Sequence, residues 1–151
     1  MIRYTSPKQL KIEGFDSPFT KKMNPENRWV KLSHVIPWDE LVHEYIKAMR
    51  DDNGRPGVDA RVVIGSLIIK HICGFSDEET VEHIAENIYM QYFLGYQGFR
   101  EGIPFDPSLF VTIRKRLGLE VFERMNASIL KLAGVTKEEP RDEPEDRDGT
   151  R

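Results

Sequence analysis

One segment, "VDARVVIGSLIIKHICG" at residues 58–74, restricts the possible folds of this chain more than any other. Apolar residues occupy nearly every side of it at helical spacing, so as a helix it must be surrounded by other elements. Its β-branched residues would also suit a strand, but about fifteen residues is long for a strand and ordinary for a helix. Gly74 stands where a helix C-cap belongs. The segment therefore predicts a central, buried helix.

Helical patterns flank this segment on both sides. Before it, apolar residues from Trp38 to Met49 recur at helical spacing; Pro37 can open that helix, and "DDNGRPG" ends it. After it, Ser76 and Glu79 form a capping box, which predicts the start of a further helix. The buried stripe of that further helix is Val81, Ile84, Ala85 and Ile88.

The aromatic segment "NIYMQYFLGYQGF" is predicted to form a short turn or helix that is closed by glycines, and two more helices are predicted beyond it. Asp106 can cap a helix that has Pro107 at its first position and runs to Gly118. A last helix runs from Glu120 to Ala133. Its apolar stripe is Val121, Phe122, Met125, Ile129 and Leu132. The sequence thus predicts an all-α, compact bundle of five or six short helices.

Charge divides the chain into three predicted regions. Residues 1–31 carry seven bases against three acids and are rich in Pro and Gly, which predicts a basic N-terminal arm in loop conformation. Residues 32–134 form the helical domain. Residues 135–151 are predicted to be a disordered tail, because seven acids and four bases stand there without aromatic residues or an apolar stripe. The aromatic residues of the arm are Tyr4, Phe15, Phe19 and Trp29.

The sequence offers no sign of a membrane segment, a disulfide or a cofactor. No apolar run reaches the roughly 18 residues of a membrane span. Cys73 is the only cysteine, which suits a reducing cytosol. The four histidines show no metal-ligand spacing, and no phosphate-binding glycine motif is present. We therefore expect a cytoplasmic protein without a cofactor or a membrane partner.

The helix predicted between Pro107 and Gly118 has two different faces. At 100° per residue, Leu109, Phe110, Ile113 and Leu117 share an arc of roughly a third of the circumference, the core face. The other arc contains no acid. It consists of Ser108, Val111, Thr112, Arg114, Lys115 and Arg116.

Hydroxyls and cations in front of an apolar face are typical of a helix that approaches a polyanion. Lys115 lies near the centre of the polar arc, whereas Arg114 and Arg116 flank it. A solvated basic face, stabilised by cations near the helix C-terminus, is the structural alternative. The candidate DNA contacts are Ser108, Thr112, Arg114, Lys115, Arg116 and, shortly before the helix, Arg100.

The preceding helix carries the opposite charge. "GFSDEE" could form the turn of a helix-turn-helix-like part, with the following helix as the reading element. The acids of that helix would repel a phosphate backbone, so its exposed face is expected to point away from DNA. These acids are Asp77, Glu78, Glu79, Glu82 and Glu86.

Three ordered segments, "IPWDEL", "SDEETVE-IAEN-Y-QYFLG" and "PFDPS-----RKRLG", resemble the N-terminal domain of InsH-type insertion-sequence transposases. The resemblance covers residues 24–130. It implies a helical domain that binds double-stranded DNA at the terminal inverted repeats of the transposon, and nucleoid association while DNA is bound.

In that family a following RNase-H-like domain holds magnesium with three acids, the DDE triad, and cuts and joins DNA. No strand-like run follows Gly134 here, and a floppy tail cannot fix the geometry that two divalent cations need. We therefore expect a truncated transposase that is not an enzyme on its own, with magnesium belonging only to the missing domain.

Two functional classes stay open. The first is a module that binds transposon ends. The second is a protein-interaction module, which pairs with itself or with full-length transposase and inhibits it. For the second class, the apolar segment 58–74 and the aromatic segment "YMQYFLGYQGF", residues 89–99, would supply an exposed docking patch.

Overall fold

Residues 3–8, 23–49 and 57–132 are described by the computed structural model of the protein, apart from several side chains of the last helix. They contain helices and no strand, which confirms the predicted all-α fold for this part of the chain. The helices are α1 (Arg28–Val35), α2 (Trp38–Ala48), α3 (Ala60–Cys73), α4 (Asp77–Glu86), α5 (Ile88–Phe93) and α6 (Ser108–Leu132).

Local sequence signals account for most helix ends. The Ser76 hydroxyl accepts a hydrogen bond from the Glu79 backbone N–H at 3.1 Å, as the predicted N-cap requires. Gly74 ends α3 in the left-handed conformation, with φ 68°. Asn87 separates α4 from α5, because its side chain caps the first turn of α5 at Tyr89 and Met90.

The prediction that residues 1–31 are loop throughout is wrong at their end, where α1 begins at Arg28. The Asn27 side chain accepts from the Trp29 backbone N–H at 2.9 Å and so caps this helix. Trp29 is only 2% exposed, and its ring packs 5.4 Å from that of Phe93. A cap and one buried tryptophan therefore outweigh the basic, loop-like composition around them. Phe15 and Phe19 lie outside the described residues.

The first described residues of the chain dock on the helical domain. The Ala60 backbone N–H donates to the Arg3 carbonyl at 2.7 Å. The Tyr4 hydroxyl donates to Asp39 Oδ1 at 2.7 Å, and the Ser6 hydroxyl donates to Asp39 Oδ2 at 2.9 Å. Residues 3–8 thus connect the N-terminal ends of α2 and α3.

Helix α3 is the centre of the fold, as predicted, since nine of its 14 residues are buried. It packs against α2, α4 and α6. Gly65 lets the Leu94 side chain lie directly against the backbone of α3, because a Cβ at this position would clash with that side chain. The expectation that α3 offers a docking patch is therefore wrong: its apolar surface is used within the domain. In the aromatic segment, Phe93 and Leu94 are buried as well.

Helix α6 consists of two sections, as predicted. Gly118 interrupts it with φ 70° and ψ 156°, a conformation that favours glycine. In the second section Met125 is 6% exposed and belongs to the core; the other side chains of the predicted apolar stripe are not described. Ala133 and the predicted tail, residues 135–151, lie outside the described residues.

Candidate nucleic-acid interface

The first section of α6, Ser108–Leu117, is fixed at its start by Asp106. One carboxylate oxygen of Asp106 accepts from the Ser108 backbone N–H at 2.9 Å. This contact stabilises the ionised form, and the pKa of Asp106 is lowered through its hydrogen bonds to Ser108. Pro107 directly precedes the helix, as the sequence predicts.

The core face predicted for this section is confirmed. Phe110 and Ile113 are fully buried, and Leu117 is 4% exposed. The Phe105 ring meets the Phe110 ring edge to face at a centroid distance of 5.1 Å. These contacts fix the rotation of α6 about its axis, and therefore decide which side chains face outward.

The outward face is polar, basic and free of acids. Ser108, Thr112, Lys115 and Arg116 are exposed, and Arg114 is partly exposed. Val111, at 41% exposure, adds one apolar side chain to this face. The candidate DNA-contact residues of α6 therefore share one side of the helix, although their contacts within the protein differ.

Arg114 is engaged by the neighbouring helix α4. Its two terminal nitrogens donate to the two carboxylate oxygens of Asp77 at 2.9 and 2.8 Å, a bidentate pair. The pair lowers the pKa of Asp77 and raises that of Arg114, each mainly through the hydrogen bond between them. Lys70 of α3 also lies 3.6 Å from Asp77. The prediction that Asp77 belongs to the exposed acidic face of α4 is therefore wrong: it is partly buried at the start of α4, beside α6.

The remaining acids of α4 lie on its exposed face, as predicted. Glu78, Glu79, Glu82 and Glu86 are exposed. The acidic surface of α4 is therefore formed by residues other than the one that binds Arg114.

Arg116 and Lys115 differ in their surroundings. Arg116 lies near Tyr45 of α2: burial raises the pKa of Tyr45, and the Arg116 charge opposes that shift. Lys115 is exposed and forms no ion pair with any residue that the structure describes. Lys115 is therefore the cation of this cluster whose charge is most available to an external anion.

Arg100 lies before α6, in the segment that joins α5 to α6. Its guanidinium carbon is 5.2 Å from the Tyr96 ring centroid, and its backbone is held by Gln91. The fully buried Gln91 amide donates to the Arg100 carbonyl at 2.9 Å and accepts from the Arg100 N–H at 2.8 Å. The same amide donates to the Ile84 carbonyl at 3.0 Å. Sequence reasoning missed Gln91, although a lone amide inside an apolar aromatic segment is a usable signal.

Within residues 3–8, 23–49 and 57–132, no group of three or more His, Cys, Asp or Glu side chains is arranged to hold a metal ion. In the same part of the chain, no helix is both long and apolar enough to cross a bilayer.

Comparison with known proteins places this helical unit in a family. Residues 17–116 match the family model described as "Transposase domain (DUF772)". The chain is also 33% identical, over 127 residues, to the "Uncharacterized protein ORF8 in nfe locus" of Rhizobium meliloti. The match covers 82% of this chain and 59% of that relative, so the chain spans about three fifths of the relative's length. No solved structure matches the chain.

Proposed function

Because the chain belongs to the transposase domain family DUF772, we propose that its transposase-related role is to bind double-stranded DNA at the terminal inverted repeats of a transposon. The observation that carries the proposal is the outward face of α6, where exposed Lys115 stands among the hydroxyls of Ser108 and Thr112 without an acid. A helix can lie in the major groove of duplex DNA. There a Lys side chain can donate to guanine O6 and N7, and Ser or Thr hydroxyls can form hydrogen bonds with base edges.

The three cations in the first section of α6 have separate roles in this proposal. Lys115 contacts a base or a phosphate directly. Arg116, on the side of α2, contacts the DNA backbone. Arg114 acts chiefly through Asp77, since a bidentate pair to a carboxylate holds the guanidinium beside α4. The pair orients α6 and leaves the Arg114 charge as a weaker contribution to the surface potential.

The test measures binding to a labelled inverted-repeat duplex at several salt concentrations, with fluorescence anisotropy as the readout. The logarithm of affinity should fall linearly with the logarithm of salt concentration, with a slope of about −0.9 per phosphate contact. Lys115→Ala should flatten the slope by about one contact if the lysine binds phosphate. If it reads guanine, the variant should instead lose roughly 1–3 kcal/mol of binding free energy and accept other bases at one position.

Lys47→Ala is the matched control, because Lys47 is an exposed lysine on α2. It should retain both the affinity and the base preference of the parent. If Lys115→Ala and the triple variant of Arg114, Lys115 and Arg116 bind the repeat like the parent at every salt concentration, the outward face of α6 is only solvated.

A further inference from the structure

Residues 95–104, between α5 and α6, form a loop whose backbone is held by a buried side chain. Gly95 and Gly102 take left-handed φ values of 86° and 87°, which set two sharp changes of direction. Between them the buried Gln91 amide makes two hydrogen bonds to the backbone of Arg100. We call residues 95–104 the supported loop.

The supported loop exposes two large apolar side chains. Phe99 is 50% exposed and Ile103 is 49% exposed, on either side of Arg100. Single exposed apolar residues elsewhere, such as Val35 and Ile46, lie on helix surfaces and need no explanation. Two of them in one firmly held loop are different, because the fold fixes the backbone of Arg100 yet leaves both side chains half in water. This arrangement suits insertion into a partner.

We propose that the supported loop is a second DNA contact, in which Phe99 and Ile103 insert from the minor groove next to the major groove that α6 occupies. The inference rests on the proposed function of α6. Proteins that bend DNA from the minor groove use apolar side chains of this kind, often Phe or Ile, as wedges between base pairs, together with Arg. Only four residues separate Ile103 from Ser108, the first residue of α6, so the two contacts are continuous along the chain.

The supported loop carries no net formal charge, which limits its electrostatic contribution to DNA binding. Arg100 and Glu101 are the charged residues of the supported loop and cancel formally, and both are exposed. The loop therefore adds apolar contact and deformation of the DNA, whereas α6 adds most of the favourable charge. Glu101 opposes phosphate and keeps the loop from binding duplexes by charge alone.

The experiment measures DNA shape rather than affinity alone. The full chain is bound to an inverted-repeat duplex with a dye at each end and 2-aminopurine at successive steps beside the α6 site. The parent should bend the duplex by roughly 20–90° and raise the fluorescence of the base at the wedged step. Phe99→Ala and Ile103→Ala should each lose most of both signals and keep the salt slope of the parent. Val35→Ala is the matched control and should keep both signals.

Two charge variants test whether the supported loop binds DNA or another protein. Arg100→Ala should flatten the salt slope by about 0.9, one phosphate contact. Glu101→Gln should raise DNA affinity severalfold at low salt, because it removes a carboxylate that faces phosphate. The circular dichroism spectrum of each variant should match that of the parent, because the substituted side chains are exposed.

The outcomes are distinct. If the parent does not bind repeat DNA, the proposed function fails and the inference fails with it. If the parent binds while Phe99→Ala and Ile103→Ala give the parent's bend and fluorescence, only the inference is overturned. If these variants instead reduce self-association in analytical ultracentrifugation and leave the DNA shape unchanged, the loop is a protein interface and the inference is also overturned.

Discussion

Helices α3 and α6 are both rich in apolar residues, but they use them in different ways. In α3 the apolar residues surround the axis, and residues 62–69 are all buried. In the first section of α6, apolar side chains occupy one face, and the opposite face presents Ser108, Thr112 and Lys115 to solvent. Helix α3 holds the domain together. Helix α6 packs on it and keeps a polar face exposed, where another molecule can bind.

The comparison separates two kinds of residue that look alike in the sequence. Arg114 and Lys115 are adjacent and both basic, yet one is bound by Asp77 of α4 and the other is exposed without a described ion pair. Substitutions in α3 should therefore affect stability, those at Lys115 should affect binding, and Arg114 should affect both. Each of the following measurements can break this division.

The largest effect is expected in α3. Ile68 is fully buried, so Ile68→Ala should lower the free energy of unfolding by about 2–5 kcal/mol, through lost burial and the cavity that remains. Urea denaturation followed by circular dichroism measures this change. Val111→Ala removes a 41% exposed residue from α6 and should change stability by less than about 0.5 kcal/mol. Equal effects of the two variants would contradict the difference between the helices.

A smaller effect is expected for the pair between α6 and α4. Arg114→Ala and Asp77→Ala should each destabilise the domain, and a double-mutant cycle should give a coupling energy of about 1 kcal/mol, because solvent screens a partly exposed pair. Lys115→Ala, one residue away, should leave the free energy of unfolding unchanged. A coupling energy of zero would mean that the pair does not hold α6 against α4.

The same pair makes a smaller, pH-dependent contribution. The pKa of Asp77 is lowered from its ordinary value of 3.8 in the folded protein. The stabilisation is therefore fully present well above pH 3.8 and is lost as the pH falls through the folded-state pKa, where Asp77 becomes protonated. The melting temperatures of the parent and of Asp77→Asn should differ at pH 6 and converge in acid. A constant difference down to low pH would show that ionisation of Asp77 contributes nothing.

The smallest effect is expected on the exposed face of α4. Glu82 and Glu86 are exposed and form no ion pair with any residue that the structure describes. Glu82→Gln and Glu86→Gln should leave specific DNA binding unchanged within experimental error, because this face is expected to point away from the duplex. Loss of specific binding in either variant would place α4 at the interface and reverse the assignment of α6.

Sequence periodicity was sufficient for much of the fold. The helical spacing of apolar residues predicted α2, α3, α4 and both sections of α6, and the caps at Ser76 and Gly74 were identified because capping depends on a few neighbouring residues. Helix α1 was missed because it is short, with eight residues, and owes its burial to Trp29 against Phe93, a contact between residues far apart in the chain.

For the candidate site, the sequence by itself determined which face of α6 is buried and which is polar, since residues of one helix turn by a fixed angle. Only the tertiary structure decided what lies beside that face. Asp77 reaches Arg114 across 37 positions of the chain, and Gln91 fixes Arg100 through its backbone. Helical periodicity carries no information about either contact, because the first depends on how α4 and α6 pack and the second on the path of the loop after α5. Packing therefore gives three consecutive basic residues different surroundings. Arg114 pairs with Asp77 of α4, Arg116 lies beside α2, and Lys115 is exposed without a described ion pair.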